Sequence, residues 1–215
     1  MLVDRAQGIW PVVASGAILS GMSAPAKPQQ PTMLEELLAQ PEESRFEIVA
    51  GELVPKDAAS ARHGHAQGRT IEGLRAFNRR PGGDQPGGWW FVTEALVMFA
   101  PGEVYRPDVA GWRRERLPEL PDQVPIEVRP DWVCEIVSPT SARRDRVRKM
   151  RVYHAAGVPH YWLVDPQDET LMVYRWTPEG YLYALGATRE DRVRAEPFDA
   201  IELQVGVLFG DDEGE

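Results

Sequence analysis

Two acidic residues stand in apolar surroundings, where an ionised carboxylate is costly to bury without a partner. Asp108 lies in the segment 105–112, YRPDVAGW, and Glu135 interrupts the apolar segment 132–137, WVCEIV. Adjacent strands lie about 4.8 Å apart, so carboxylates at matching heights on two such strands can share one cation. Magnesium takes oxygen ligands and is usually held by one or two carboxylates and several waters. The two acids therefore predict a divalent-cation site, with Mg²⁺ as the expected ion and Mn²⁺ as its alternative.

A lysine in the next basic segment is the third candidate for chemistry. Lys149 recurs with Asp145 and Tyr153 every four residues, so a helix would present all three on one face. Because this segment follows the strand of Glu135 directly, we expect Lys149 to reach back over the acids. An ammonium in that place would stabilise an attacking hydroxide and the charge that builds on a phosphate during its transfer.

Arginines surround this lysine in the segment 143–151, RRDRVRKMR. We predict that Arg143, Arg144 and Arg148 contact the phosphates of a nucleic-acid polymer, because arginine commonly binds the sugar-phosphate backbone. Binding through such contacts would weaken as the salt concentration rises.

Each of these side chains also has a structural reading. Asp108 could be a turn aspartate, and Glu135 could be the buried ion-pair partner of an arginine. Asp145 and Lys149 could form an ordinary i,i+4 pair on a helix surface. His63, near the start of a helix, could be a capping or solvent-facing residue, and the arginines could form a solvated helix face. The order and spacing of the residues, rather than any single one, favour the chemical interpretation.

The elements that would position these residues form an α/β fold with a mixed sheet. The predicted core order is helix, strand, strand, strand, helix and strand, with helices packed on the sheet and β-hairpins added at both ends. We predict helices at 33–39, at 61–80 and in the basic segment, strands at 89–99, 104–112, 132–137 and up to Asp165, hairpins at 45–55 and 170–185, and a loop at 113–129. The first helix begins with a capping box of Thr32 and Glu35. The segment 132–137 has apolar residues on both faces, which is typical of a central strand covered on both sides.

Composition indicates a globular protein that functions without disulfides. The chain has 215 residues, a net charge of −9 and a pI near 5.1, which argues against indiscriminate attraction to polyphosphate. A basic face or a bound cation can still serve a nucleic acid. Cys134 is the single cysteine, so it forms no internal disulfide, and a cytoplasmic location is the simplest inference.

The chain divides into three segments at the level of sequence. We predict a disordered leader or linker at 1–31, one folded domain at 32–209 and an acidic tail at 210–215. The mildly apolar segment 9–22 raises the question of a signal peptide, but a proline and two glycines interrupt it, and a disordered leader or a start at Met22 is favoured. No stretch approaches the roughly 20 apolar residues of a membrane helix, so no membrane partner is expected.

Four segments carry a family resemblance, and they read RFEIVAGELV, RHGHAQGR, YRPDVAGW and PDWVCEIVSPTSARRDRVRKMRVYHAAGVPHYWLVDP. They resemble the bacterial Uma family of restriction-endonuclease-like proteins, a branch of the PD-(D/E)xK nuclease superfamily, over about residues 32–209. The resemblance implies that Asp108 and Glu135 are the two motif acids, and the superfamily has the core order predicted above. Val137 stands where the superfamily has its lysine, and Lys149 matches a lysine that the Uma branch carries in the following helix.

The resemblance also implies an activity. By this resemblance we expect a magnesium-dependent endonuclease that hydrolyses DNA. The two acids would bind the metal, and the lysine would stabilise the attacking hydroxide or the transition state. His63 matches a histidine at the start of the first core helix and would lie at the edge of the pocket, and Glu47 and Glu52 match acidic positions of the hairpin. Many nucleases of this fold act as homodimers, which makes a second copy a further candidate partner.

Two other functions stay open at the level of sequence. The chain could be an inactive nuclease-fold module that binds nucleic acid or a partner protein, in which case no cation uptake would depend on Asp108. It could also be a hydrolase of a small phosphorylated molecule, which would act on nucleotides and leave DNA strands intact.

Overall fold

The computed structural model describes residues 31–41, 44–82, 84–138 and 145–212. Several sequence-based predictions fall outside these ranges: nearly all of the leader, the phosphate contacts Arg143 and Arg144, and the last three residues of the acidic tail. The proposed division of the chain into three segments stays a prediction.

A six-stranded mixed sheet forms the centre of the described domain. In spatial order its strands are β10 (Gly180–Thr188), β9 (Thr170–Thr177), β8 (His160–Asp165), β7 (Trp132–Ile136), β6 (Val109–Arg113) and β3 (Trp89–Thr93). β7 and β8 run parallel, and every other pair of neighbours is antiparallel. The predicted mixed sheet and the predicted C-terminal hairpin are confirmed.

Strand β7 is covered on both faces, as its apolar sequence predicts. Its even-numbered residues enter one apolar cluster: Trp132, Cys134 and Ile136. Val133 and Val137 enter a second cluster on the opposite face, which also contains Tyr153. Because side chains alternate along a strand, Glu135 shares the face of Val133 and Val137.

Within the described residues, three α-helices pack around the sheets. α1 (Met33–Leu38) begins with the predicted capping box, α2 (Ala61–Gly73) contributes to the first cluster, and α3 (Met150–Ala155) contributes to the second. A single π-helical turn, Asp145–Lys149, leads into α3. The basic segment is therefore helical where it is described, and it covers the face of β7 that carries Glu135.

The helix predicted at 61–80 ends earlier, at Gly73. Beyond it, Arg75 and Phe77 donate backbone hydrogen bonds to carbonyls three residues back, at 3.0 and 2.9 Å, instead of four. These tighter turns bury both Leu74 and Phe77 in the first cluster. The helix was predicted to reach residue 80 because Ile71, Leu74 and Phe77 recur every three residues, and that spacing reflects this tighter winding.

A second sheet of four strands was missed because two long strands were predicted where four shorter ones exist. Its spatial order is β2 (Glu52–Pro55), β1 (Phe46–Val49), β5 (Glu103–Tyr105) and β4 (Val97–Ala100). The strand predicted at 89–99 breaks at Glu94, whose φ of 56° lies in the left-handed region. The strand predicted at 104–112 breaks before Pro107, which has no N–H to donate. The chain thus passes from one sheet to the other on both strands, and Asp108 lies at the second crossing.

The remaining segments complete the domain. The β1–β2 hairpin turns at Ala50 and Gly51, whose φ values of 54° and 79° suit the tight turn that was predicted. A two-stranded sheet of β11 (Arg192–Val193) and β12 (Leu203–Gln204) precedes the 3₁₀ turn Val205–Phe209, which packs on α2. No helix in the described ranges combines the length and the apolar character that crossing a bilayer requires.

Candidate active site

Glu135 is held by two side chains from the helix that covers it. Lys149 Nζ donates to both carboxylate oxygens, at 3.1 Å to Oε1 and 3.3 Å to Oε2, and the Tyr153 hydroxyl donates to Oε1 at 2.5 Å. Lys149 and Tyr153 are four residues apart, so the helix brings both to the same carboxylate. Glu135 is only 1% exposed, which makes this pairing necessary for its charge.

Lys149 also connects the two sheets. Its side chain is buried, and its Nζ lies 3.6 Å from Oε1 of Glu47 on β1 of the smaller sheet. Glu47 accepts a hydrogen bond from the backbone N–H of Arg106 at 2.8 Å. Two buried acids from different sheets, Glu47 and Glu135, therefore share one ammonium, which offsets part of the cost of burying them.

Asp108 directly precedes β6 and lies beside Glu135 of β7 in the interior of the larger sheet. In the antiparallel register Val109 pairs with Cys134, so the positions that follow in this register are Asp108 and Glu135. Asp108 Oδ2 accepts the backbone N–H of Ile136 at 2.7 Å. This hydrogen bond aligns one oxygen of Asp108 with β7 and leaves Oδ1 on the side of the second sheet.

A second lysine and His63 meet at the other oxygen of Asp108. Oδ1 lies 2.9 Å from Lys56 Nζ and 3.2 Å from His63 Nε2. Burial acts to raise the pKa of Asp108, but the Lys56 ammonium and the His63 contact outweigh it and hold that pKa well below its usual range. The carboxylate therefore stays ionised, as a cation ligand must.

Sequence reasoning missed Lys56 and its other partner, Glu94. Lys56 follows β2 directly, and its Nζ donates to Glu94 Oε2 at 2.9 Å as well as to Asp108. Glu94 lies at the break between β3 and β4, which was predicted as continuous strand. One signal could have found Lys56: only three of the 24 basic residues are lysines, and Lys56 and Lys149 are two of them.

These residues line a small cleft between the two sheets. Its volume is about 50 Å³, which holds an ion with a water or two. The lining residues that carry or can carry charge are the acids Glu47, Asp57, Asp108 and Glu135, the lysines Lys56 and Lys149, and His63. Ligand atoms of His63, Glu94 and Asp108 lie within 4.8 Å of one another and form a candidate ion site. The carboxylate-rich donor set fits a hard divalent cation.

Some of the predicted site residues line the cleft and others do not. The structure brings Asp108, Glu135, Lys149 and His63 to one cleft. Arg148 is half-buried, interacts with the Tyr105 hydroxyl and does not line the cleft. The roles assigned to all of these residues stay predictions.

Replacing Tyr153 by phenylalanine tests how firmly the cleft holds Glu135. Burial, followed by the charge of Glu135, raises the pKa of Tyr153 well above its usual value, so the phenol remains a donor. Loss of a hydrogen bond to a charged group is expected to lower the free energy of unfolding by about 1.5–3 kcal/mol, measured by urea denaturation. Tyr181→Phe is the matched control, because that hydroxyl donates to the neutral carbonyl of Val158 at 2.8 Å and its loss should cost about 1 kcal/mol. Equal costs for the two variants would contradict the prediction.

The order of the core elements α2, β3, β6, β7, α3 and β8 defines the fold class. A restriction-endonuclease-like fold has this arrangement, and comparison with solved structures agrees. The crystal structure of a protein from Anabaena variabilis, described as a putative nuclease belonging to DUF820, superimposes with a TM-score of 0.65. It has 20% sequence identity and covers 83% of this chain and 97% of its own, which shows a shared fold.

The family model identifies the group more narrowly. The model of the Uma2 family, described as putative restriction endonuclease, matches residues 33–206, so the chain belongs to this family. The resemblance found in the sequence is confirmed, and membership supports a nuclease as the general class of activity. No curated protein matches the chain.

Proposed function

We propose that the protein is a magnesium-dependent endonuclease that hydrolyses phosphodiester bonds of DNA, with Mn²⁺ as a substitute ion. One observation carries the proposal: Asp108 and Glu135, from neighbouring antiparallel strands, line the same cleft as the buried Lys149. His63 lines the same cleft, so two acids, a lysine and a histidine converge on one cavity. Family membership adds support for the general class.

The charge of the cleft supports a divalent cation. Four acids and two lysines line it, which leaves two negative charges when the histidine is neutral. A phosphate would be repelled from such a cavity unless a cation offset the negative charge. A single divalent ion would neutralise the cleft and make it compatible with a phosphodiester.

In the proposed mechanism Asp108 and Glu135 would hold the ion. When bound, magnesium would offset charge on the phosphate and favour ionisation of an attacking water. Lys149 lies at Glu135, and its ammonium would stabilise the negative charge that develops on the phosphate oxygens. Tyr153 orients Glu135 through its hydroxyl, and His63 would position Oδ1 of Asp108.

The basic segment would supply the contacts to DNA. Arg143, Arg144 and Arg148 precede or flank Lys149 in sequence, so phosphates held by them would lie close to the cleft. Contacts of this kind would place the scissile bond and carry no sequence information. This proposal implies that the substrate is DNA in the cytoplasm.

The direct test is incubation of the purified chain with supercoiled plasmid, with Mg²⁺ or with a chelator. We expect nicked and linear DNA only with the ion, and a steep decline of cleavage as salt rises. Binding of DNA without cleavage would instead indicate the inactive module. Hydrolysis of nucleotides with intact plasmid would indicate a small-molecule phosphohydrolase. Either result would overturn the proposal.

A further inference from the structure

The Lys56 ammonium sits in a cage of oxygen atoms. Its Nζ donates to Arg106 O at 2.7 Å, to Asp108 Oδ1 at 2.9 Å and to Glu94 Oε2 at 2.9 Å. An ammonium has three N–H donors, and these three oxygens match them in number. Two of the oxygens are charged carboxylate atoms and one is a carbonyl, which is also the donor set of a hard metal ion.

The same position meets the requirements of a cation site without the lysine. The ligand atoms of Asp108, Glu94 and His63 lie within 4.8 Å of one another. His63 is 7% exposed, and among the described residues neither of its ring nitrogens has a hydrogen-bond partner of acceptable geometry. A buried imidazole of this kind, with Nε2 3.2 Å from Asp108 Oδ1, has a nitrogen available beside the cage.

The choice of lysine at this position is unusual for the chain. It has 24 basic residues, of which 21 are arginines and three are lysines. Two of the three lysines line the cleft. An ammonium is a compact point charge, whereas a guanidinium is a planar fork that does not fit an ion-sized position. The lysine at 56 is therefore suited to imitate a metal ion, which arginine is not.

We propose that the Lys56 ammonium takes the place of a second divalent cation, so that the cleft binds one divalent ion instead of two. The proposal rests on the proposed function only in that the first ion belongs at Asp108 and Glu135. Lys56 supplies a permanent positive charge beside Oδ1 of Asp108. A second divalent ion on that oxygen would lie beside the Lys56 ammonium, which would repel it.

The test is the stoichiometry of Mn²⁺ binding, measured by calorimetry without DNA. We expect one equivalent of Mn²⁺ for the wild-type chain and a second equivalent for Lys56→Met, whose side chain has similar length and no charge. The matched control is the double variant Lys56→Met/Glu94→Gln, which removes a carboxylate charge from the vacated cage and should lose the second equivalent. Circular dichroism checks that each variant is folded.

The outcomes separate this proposal from the proposed function. If the wild type and Lys56→Met both bind one equivalent with the same affinity, the role of Lys56 is wrong and the proposed metal dependence of cleavage is unaffected. If the wild type binds no ion and Lys56→Met binds one that Glu94→Gln abolishes, the role of Lys56 is supported and the metal-dependent mechanism fails.

A second measurement covers the case in which Lys56→Met does not fold. Crystals of the wild-type chain soaked in Mn²⁺ should show no anomalous scattering peak coordinated by both Glu94 and Asp108, and Lys56 Nζ should remain in its cage. A manganese peak at that position, with the lysine side chain displaced, would overturn the proposal.

Discussion

Replacement of Asp108 by asparagine is expected to lower kcat/KM for DNA cleavage by about 1,000-fold, equivalent to about 4 kcal/mol of transition-state stabilisation. The amide is nearly isosteric, so the hydrogen bond from the Ile136 N–H to a side-chain oxygen can persist. What is lost is the negative charge that would hold the cation. The measurement is the initial rate of plasmid nicking at saturating Mg²⁺ and again at a tenfold higher concentration.

A second buried aspartate provides the control. Asp131 is 6% exposed, accepts hydrogen bonds from Arg116 and the backbone N–H of Arg113, and does not line the cleft. Asp131→Asn should lose stability through a weakened ion pair and retain the wild-type cleavage rate. If Asp108→Asn cleaves DNA as fast as Asp131→Asn does, the charge of Asp108 has no part in the reaction.

Replacement of Lys149 by methionine is expected to destabilise the ion-free protein by about 3 kcal/mol. The methionine fills a similar volume but leaves Glu135 and Glu47, both buried, without the ammonium that they share. Urea denaturation in the presence of a chelator measures the loss. Addition of Mg²⁺ should stabilise this variant more than the wild type, because a bound cation would take over the missing charge.

The double variant Lys149→Met/Glu135→Gln tells lost charge pairing from lost packing. With the Glu135 charge also removed, much of the lost stability should return, because a buried polar pair costs most when one charge remains alone. A double variant no more stable than Lys149→Met would mean that packing of the lysine stem, not its charge, stabilises the cleft. Cleavage activity should be absent from both variants.

Local periodicity allowed the sequence to determine the part of the site that Glu135, Lys149 and Tyr153 form. The alternation of apolar residues around Glu135 defines a strand covered on both faces, and the spacing of four between Lys149 and Tyr153 defines a helix face. Because Lys149 follows Glu135 by only 14 residues, these two patterns suffice to bring the lysine and tyrosine to the acid. The capping box and the β1–β2 turn are local for the same reason.

Only the tertiary structure determined how Lys56, Glu94 and Asp108 come together. Lys56 meets Glu94 and Asp108 across separations of 38 and 52 residues. No periodicity records such contacts, since they depend on where two long β segments break and pass between sheets. A left-handed residue at Glu94 and the missing N–H of Pro107 produce those breaks, and each is a single-residue event within an otherwise strand-like pattern. Residue spacing predicts short-range order, whereas the packing of distant segments determines the partner of a buried charge, and that is why the partners of Lys56 could be recognised only in the folded chain.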